Sequence, residues 1–364
     1  MWKKIYPSTV PTNPAMDFPS PVSNPVTSTK RPVTLNEIVG QDMAKQFLSM
    51  KVTAYLNSGI PANHVLLLGS KGLGKTTLSR AFANDLGSNL ITMYAPAIKS
   101  ARQMTELLCQ IKQGDVLFID EIHRLAPALQ ELLYVALEDF QYSFESAKGM
   151  MQTVTLAKFT AVAATTHQSK INQPLRDRFP NVLSLIDYSD VELANMVQKV
   201  AAKSQFHLED EVALKIARIS RRNPRIAINA LQGVIELKRA KPLDSNADLV
   251  DAHLDFTNVD HVLGLDSMSR RYLCILASED RPLGVRMIGS MFGDAQDIES
   301  TIEDVIEPFL TSEVQFYDNE GLCKGKLAKR TDSGRVITPE GRRYLRLCVE
   351  MQLAGRLVGE TLDC

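Results

Sequence analysis

The stretch "HVLLLGSKGLGKTTLSRAFANDLG", residues 64–87, decides the fold. An apolar run of strand length stops at Gly69. A glycine-punctuated turn follows, then Lys75, Thr76, Thr77 and apolar residues at helical spacing. Residues 69–76 fit GxxxxGK[ST], with the strand before and the helix after that give the pattern its meaning. Gly69, Gly72 and Gly74 permit backbone angles that turn consecutive N–H groups toward phosphate oxygens. The positive end of the following helix aims at the same anion. Lys75 is expected on the β- and γ-phosphates, Thr76 on Mg²⁺ and Thr77 on the α/β-phosphates, so ATP and Mg²⁺ are the expected ligands.

Other short apolar runs, "NLITMYA", "GDVLFID", "KFTAVAATT" and "NVLSLID", alternate with helical patterns. That alternation predicts an α/β fold with a parallel sheet covered on both faces. "DVLFIDEIHRL" is a buried-type strand ending in Asp120 and Glu121, which a parallel sheet delivers to its ligand-binding carboxyl edge. Asp120 is expected to hold Mg²⁺ through water, and Glu121 to act as general base on the attacking water. His123 has no second histidine at i+4 and reads as structural or as a relay between subunits, not as a metal ligand. "AVAATTH" ends in Thr165 and Thr166, with Thr166 expected to sense the γ-phosphate. "QPLRDRFPNV" supplies Arg178 as an arginine finger toward a neighbouring subunit, with Arg176 as second choice. "NPRIAINAL" opens a helix with Arg225, placed to touch the γ-phosphate from a lid.

The chain has 364 residues, 45 % of them apolar and 23 % charged, enough for two or three cores. A net charge of −1 requires any attraction to nucleic acid to come from local patches. Cys109, Cys274, Cys323, Cys348 and Cys364 are scattered without a CxxC pair, which argues against a zinc site or disulfide framework and predicts a cytoplasmic protein. No apolar run approaches the roughly 20 residues of a membrane span. Residues 1–30 carry six prolines and eight Ser/Thr and read as a disordered arm. An ATPase core over 31–188, a helical lid over 189–257, a C-terminal unit over 258–348 and a tail over 349–364 follow from the pattern changes. Between positions 321 and 346 stand eight Lys/Arg against two acids, on a glycine-punctuated hairpin pattern suited to sequence-independent phosphate contacts.

In order along the chain, "RPVTLNEIVGQ", the phosphate loop, "GDVLFIDEIHRL", "LEDF", "ATT", "PLRDRF", "DYSDVEL", "NPRIA", "GLDSM", "TIEDVIEPFL" and "RTDSGRVIT" resemble the RuvB family. These are AAA+ hexameric motors that drive Holliday-junction branch migration. The resemblance implies a P-loop core, a helical lid and a C-terminal winged helix that touches DNA. It further implies that Lys30 and Arg31 lie beside the adenine, with Val39, Gly40 and Tyr188 forming its pocket. It puts Glu138, Asp139 and Phe140 on the nucleotide, and Arg330 and Arg335 on DNA. The implied partners are DNA, other copies of the chain in a hexamer, and a RuvA-like junction-binding protein.

The sequence departs from the family in several places. The stretch "QYSFESAKGMMQTVTLAKFTAVA" lacks the usual partner-docking motifs, although a hairpin around residues 148–149, tipped by Met150 and Met151, is expected there. The wing region "TSEVQFYDNEGLCKGKLAK" is longer than usual. Ser70 and Lys71 stand where two prolines are usual. An AAA+ loader of another protein and a nucleotide-gated regulator are the competing functions. The wing and "GLDSM" favour the motor over a loader. "RMIGSMFG" and "DIESTIEDVIEPFL" are poor in base-reading side chains, against a regulator.

Overall fold

Val65, Leu66 and Leu67 are completely buried, which requires cover on both faces of the strand they form. The computed structural model describes residues 32–145, 151–240, 245–293 and 298–353. The expected arm, Lys30, Arg31, the hairpin tip at 146–150 and the chain beyond 353 lie outside these residues. The first half runs α1 (Asp42–Ser58), β1 (Val65–Leu68), α2 (Lys75–Asp85), β2 (Leu90–Tyr94), α3 (Ala101–Leu108) and β3 (Val116–Asp120). It continues through α4 (Pro127–Asp139), β4 (Gln141–Glu145), β5 (Met151–Thr155), β6 (Thr160–Thr165), α5 (Gln173–Asp177) and β7 (Asn181–Ser184).

Five of these strands form a parallel sheet in the order β2-β3-β6-β1-β7, built from the five apolar runs read in the sequence. The side-chain period of two splits each strand between the faces. Val65, Leu67, Phe118 and Val162 pack with Leu78 and Phe82 of α2. Leu66, Leu117, Ile119 and Ala163 pack with Met104, Leu108, Leu133 and Leu137 of α3 and α4. β4 and β5 pair as an antiparallel hairpin outside the main sheet.

The first core continues into four helices, α6 (Asp190–Lys203), α7 (Asp210–Arg218), α8 (Pro224–Ala240) and α9 (Asn246–Thr257). Ser189 and Glu192 form a capping box at the start of α6, satisfying two backbone donors that a helix start leaves open.

A separate core spans Leu263 to Cys348. It contains α10 (Ser267–Ala277), α11 (Val285–Phe292) and a rod made of α12 (Ile298–Thr301), a π-helical turn (Ile302–Ile306) and α13 (Glu307–Leu310). Two hairpins follow, β8–β9 (Val314–Asp318, Gly321–Gly325) and β10–β11 (Ala328–Thr331, Gly334–Ile337), before α14 (Pro339–Leu353). The extra length read as a longer wing is thus a second hairpin preceding a short one. Leu283 adds an antiparallel bridge to Arg335 of the short hairpin, completing a winged helix. α14 continues past residue 348, where the tail was expected to begin. Cys109, Cys323 and Cys348 are free. Among the described residues no helix is long and apolar enough to cross a membrane.

The passage from lid to winged helix is organised by Asp260, a fully buried carboxylate. It accepts hydrogen bonds from the backbone N–H groups of Val262 and Leu263, both at 2.7 Å, and of Leu265, and from the Tyr344 hydroxyl at 2.8 Å. Gly264 turns there with φ +69°, and a Cβ on it would lie 1.7 Å from the Ile219 carbonyl oxygen of the lid. Backbone cannot yield as a side chain can. Gly264→Ala should therefore destabilise the C-terminal unit by about 3 kcal/mol, combining left-handed strain with overpacking. A denaturation curve with an unshifted midpoint would contradict this packing.

Candidate nucleotide site and DNA-facing wing

The carboxyl edge of the sheet is where register brings the predicted residues together. Leu68 pairs with Thr165, Ile119 with Ala163 and Tyr94 with Asp120, so the loop after β1, the acids ending β3 and the threonines ending β6 emerge side by side. In the loop Gly69, Gly72 and Gly74 adopt φ of +151°, +90° and +94°, and α2 starts at Lys75. Lys75 is buried and donates to the carbonyls of Gly69 (2.6 Å) and Ser70 (2.9 Å). Burial lowers its pKa, against the pull of Glu121 and Asp120. Thr76 and Thr77 are half-buried in the first turn of α2.

Tyr188 and Gly40 meet on the other side of the loop. A Cβ on Gly40 would lie 2.9 Å from Tyr188 Cε1, and the Tyr188 hydroxyl donates to the Leu73 carbonyl at 3.4 Å. Burial pushes the Tyr188 phenol up to about 12. Val39 is half-buried next to Gly40. The lid arrives through Asn223, whose side chain donates to the Lys71 carbonyl at 2.7 Å and accepts from the Arg225 N–H at 2.9 Å. Gly72 has no room for a Cβ, which would sit 2.3 Å from Asn223 Oδ1. Arg225 is exposed and lines a cleft of about 280 Å³ between loop and lid. Sequence reading passed over Asn223, although an Asn before Pro at a helix start is a capping signal. It also passed over Arg221 and Arg222, two successive non-glycine residues in left-handed conformation (φ +51° and +57°), an arrangement that stores strain.

At the acids, Glu121 has φ +53°, and its Oε2 is buried with no hydrogen-bond partner. His123 Nδ1 lies 3.4 Å from that oxygen but 2.8 Å from Thr165 Oγ1, which also accepts from the His167 N–H at 2.9 Å. Burial, then the neighbouring His167 ring 5.2 Å away, push the His123 imidazole down to about 4. A neutral ring cannot form an ion pair, so His123 does not compensate Glu121, whose Oε2 is left without a hydrogen-bond partner. Thr165 is the fully buried partner of both histidines, while Thr166 bonds to His167 Nδ1 at 2.8 Å.

Glu138, Asp139, Phe140 and Arg178 form a different cluster. Glu138, at the end of α4, is ion-paired with Arg178 of the same chain, whose guanidinium also lies 5.6 Å from the Tyr134 ring centroid. Arg176 binds Gln173 on α5. Asp139 is exposed. The Phe140 ring stacks edge-on against Phe159 at 5.5 Å beside His64. It serves as a core anchor below Glu138.

On the wing Arg330 and Arg335 are directly opposed across β10–β11. Both are tied to Glu307, a wholly buried carboxylate: Arg330 Nε at 2.5 Å from Oε2 and Arg335 Nε at 3.0 Å from Oε1. The Tyr272 hydroxyl donates to Oε1 at 2.8 Å. Arg335 also reaches Glu303 at 2.7 Å and is 14 % exposed, against 52 % for Arg330. Arg330 with Lys329 therefore presents charge outward, and Arg335 braces the hairpin. Glu307 was missed because an acid inside an amphipathic stretch reads as a solvated face.

Two family models match the chain: the Holliday junction DNA helicase RuvB P-loop domain over residues 30–185 and the RuvB C-terminal winged helix domain over 262–316. The second match ends inside β8, where the added hairpin begins. The chain is 39 % identical over 314 residues to the Holliday junction branch migration complex subunit RuvB of Campylobacter fetus, covering 85 % of this chain and 87 % of the relative. It is 40 % identical over 333 residues to that of Granulibacter bethesdensis, covering 89 % and 88 %. Among solved structures the Thermotoga maritima RuvB Holliday junction branch migration motor superimposes with a TM-score of 0.75 at 34 % identity, covering 87 % of this chain and 98 % of that one.

The neutral imidazole has a measurable consequence. The unfolded chain protonates His123 near pH 6.5, whereas the folded chain resists down to about 4. The unfolded state then binds more protons, so stability is untouched above pH 6.5 and is lost as pH falls from 6.5 toward 4. His123→Gln should flatten that acid limb by on the order of 2–3 kcal/mol. Equal acid sensitivity in both proteins would show His123 to be charged or exposed.

Proposed function

The chain belongs to the RuvB family, and from that premise we propose that it is an ATP-driven motor of Holliday-junction branch migration whose working residues are those gathered above. The residues present fit a magnesium nucleotide: a loop of positive-φ glycines, a buried lysine beneath it and a buried carboxylate oxygen with no partner beside it. Gly69, Gly72, Gly74, Lys75, Thr76 and Thr77 would hold the phosphates, Arg225 would approach from the lid, and Val39, Gly40 and Tyr188 would border the base. Thr76 and Asp120 would hold Mg²⁺, which neutralises charge on the phosphate oxygens when bound.

The unpartnered Glu121 Oε2 carries this reading. A buried carboxylate with a free oxygen is destabilised unless something donates to it, and a water attacking the terminal phosphate is such a donor. His123, being neutral, orients Thr165 and leaves the base unquenched. Thr166, at the end of β6, is the candidate γ-phosphate sensor. Arg178 is held in the chain by Glu138 over a Phe140 anchor, a position from which a neighbouring copy's site could be completed. Such head-to-tail contact builds a ring when its rotation closes, and a hexamer is the proposed assembly. Functionally the chain divides into core (31–188), lid (189–257) and a winged helix that runs from 258 through α14. Arg330 grips duplex DNA from a hairpin that Arg335 braces, and the β4–β5 hairpin is the proposed docking element for a RuvA-like partner.

Lys75→Ala should abolish nucleotide binding, while Glu121→Gln should bind ATP and turn it over at least about 100-fold more slowly. Normal hydrolysis by the Glu121 variant would remove the base assignment. Arg178→Ala should be inactive alone yet complement Glu121→Gln subunits in mixed rings. Strand displacement on synthetic four-way junctions, compared with linear duplex and with and without a junction-binding protein, tests the motor itself. Loss of Arg330 should lower the salt slope of duplex binding by about one.

A further inference from the structure

The rod of residues 298–310 has three faces, and each does something different. Ile298, Ile302, Ile306 and Leu310 are buried in the winged-helix core. Glu303 and Glu307 hold the two wing arginines. Asp304 turns the other way, into the cleft at the nucleotide site, where Val305, Pro308 and Phe309 also line the wall. Its Oδ2 lies 3.7 Å from Lys71 Nζ in the phosphate loop, and its Oδ1 lies 3.4 Å from His167 Nε2, just beyond β6. The side chain is 16 % exposed. The turn that carries it is π-helical, a distortion frequent at functional positions.

A carboxylate from the DNA-binding unit thus stands beside a loop whose task is to receive phosphates. Its two contacts are long and their partners partly exposed, so the attachment is weak and exchangeable. A nucleotide's negative charge nearby repels Asp304 and offers Lys71 and His167 a stronger partner. Lys71 occupies a position where the family resemblance leads one to expect proline, so this contact belongs to this chain's own loop.

We propose that Asp304 is a nucleotide-sensing latch: the loop and the turn after β6 hold it before phosphates arrive, and its release frees the rod whose opposite face positions Arg330 and Arg335. The inference rests on the ATPase reading above. Linkage makes the effect reciprocal, since whatever nucleotide does to the wing's hold on DNA, DNA must do to nucleotide affinity.

The experiment uses the full-length chain, with a fluorescent ATP analogue that resists hydrolysis and a labelled 30-mer duplex, at fixed ionic strength. In the unmodified chain each ligand should tighten the other about fivefold. Asp304→Asn, which keeps the shape and removes the charge, should bind the analogue about fivefold more tightly without DNA and lose the coupling. Lys71→Ser and the double variant place the two residues in one cycle, and the double should be no stronger in effect than Asp304→Asn alone. Coupling retained in Asp304→Asn, or additive effects in the double variant, overturns the latch. Absence of analogue or duplex binding by the unmodified chain instead removes the motor reading, and the latch with it.

Discussion

Parallel pairing about β6 is the constraint on which the site depends. A parallel strand delivers every carboxyl end to one edge, so the register of β1 and β3 against β6 puts the phosphate loop, the Asp120–Glu121 pair and Thr165 at one place without further instruction. Antiparallel pairing of the same runs would scatter them over two edges. The apolar side chains that make the sheet insoluble by itself are also what fix this register. A slip of one residue would exchange the alternating side chains of β1 between the two cores.

On that scaffold, charge is managed by exclusion in one place and by compensation in another. Burial keeps His123 neutral, its Nδ1 is engaged by Thr165, and Glu121 retains an unpaired oxygen where chemistry is expected. At the wing the buried Glu307 is fully compensated, by two guanidinium groups and a phenol. Desolvating such a group is expensive, and its pairing contributes little net stability over apolar packing. What it does contribute is direction: two long, flexible side chains on opposed strands are held to one carboxylate on a helical rod.

The sheet, the loop and the acids were legible because each rests on local pattern: strand-length apolar runs, a glycine spacing, a pair of carboxylates at a strand end. The features that were not legible depend on contacts distant in sequence. Glu303, Asp304 and Glu307 are three acids in an amphipathic stretch, and nothing local tells which faces arginine and which faces a phosphate loop. Phe140 sits beside two acids that suggest a polar site, yet its ring finishes in the aromatic cluster with Phe159. Residues 313–325 looked like wing because they are glycine-punctuated and run directly into the basic stretch that follows. Their alternation instead closes on itself, Val314 opposite Gly325 and Phe316 opposite Cys323, with Phe316 and Cys323 turned into the core.

A motor needs both rigid and exchangeable contacts, and the C-terminal unit contains each kind in a single rod. Glu307, with no exposure and bonds to both arginines, cannot trade partners readily, so it ties the wing to the rod. Asp304, partly exposed and more than 3 Å from either partner, can. Were the strengths reversed, nucleotide would have to break a buried ion pair to move the wing, and the wing itself would be loose. The order observed, firm toward the wing and yielding toward the phosphate loop, is the one that would let a change in phosphate charge be passed on as displacement.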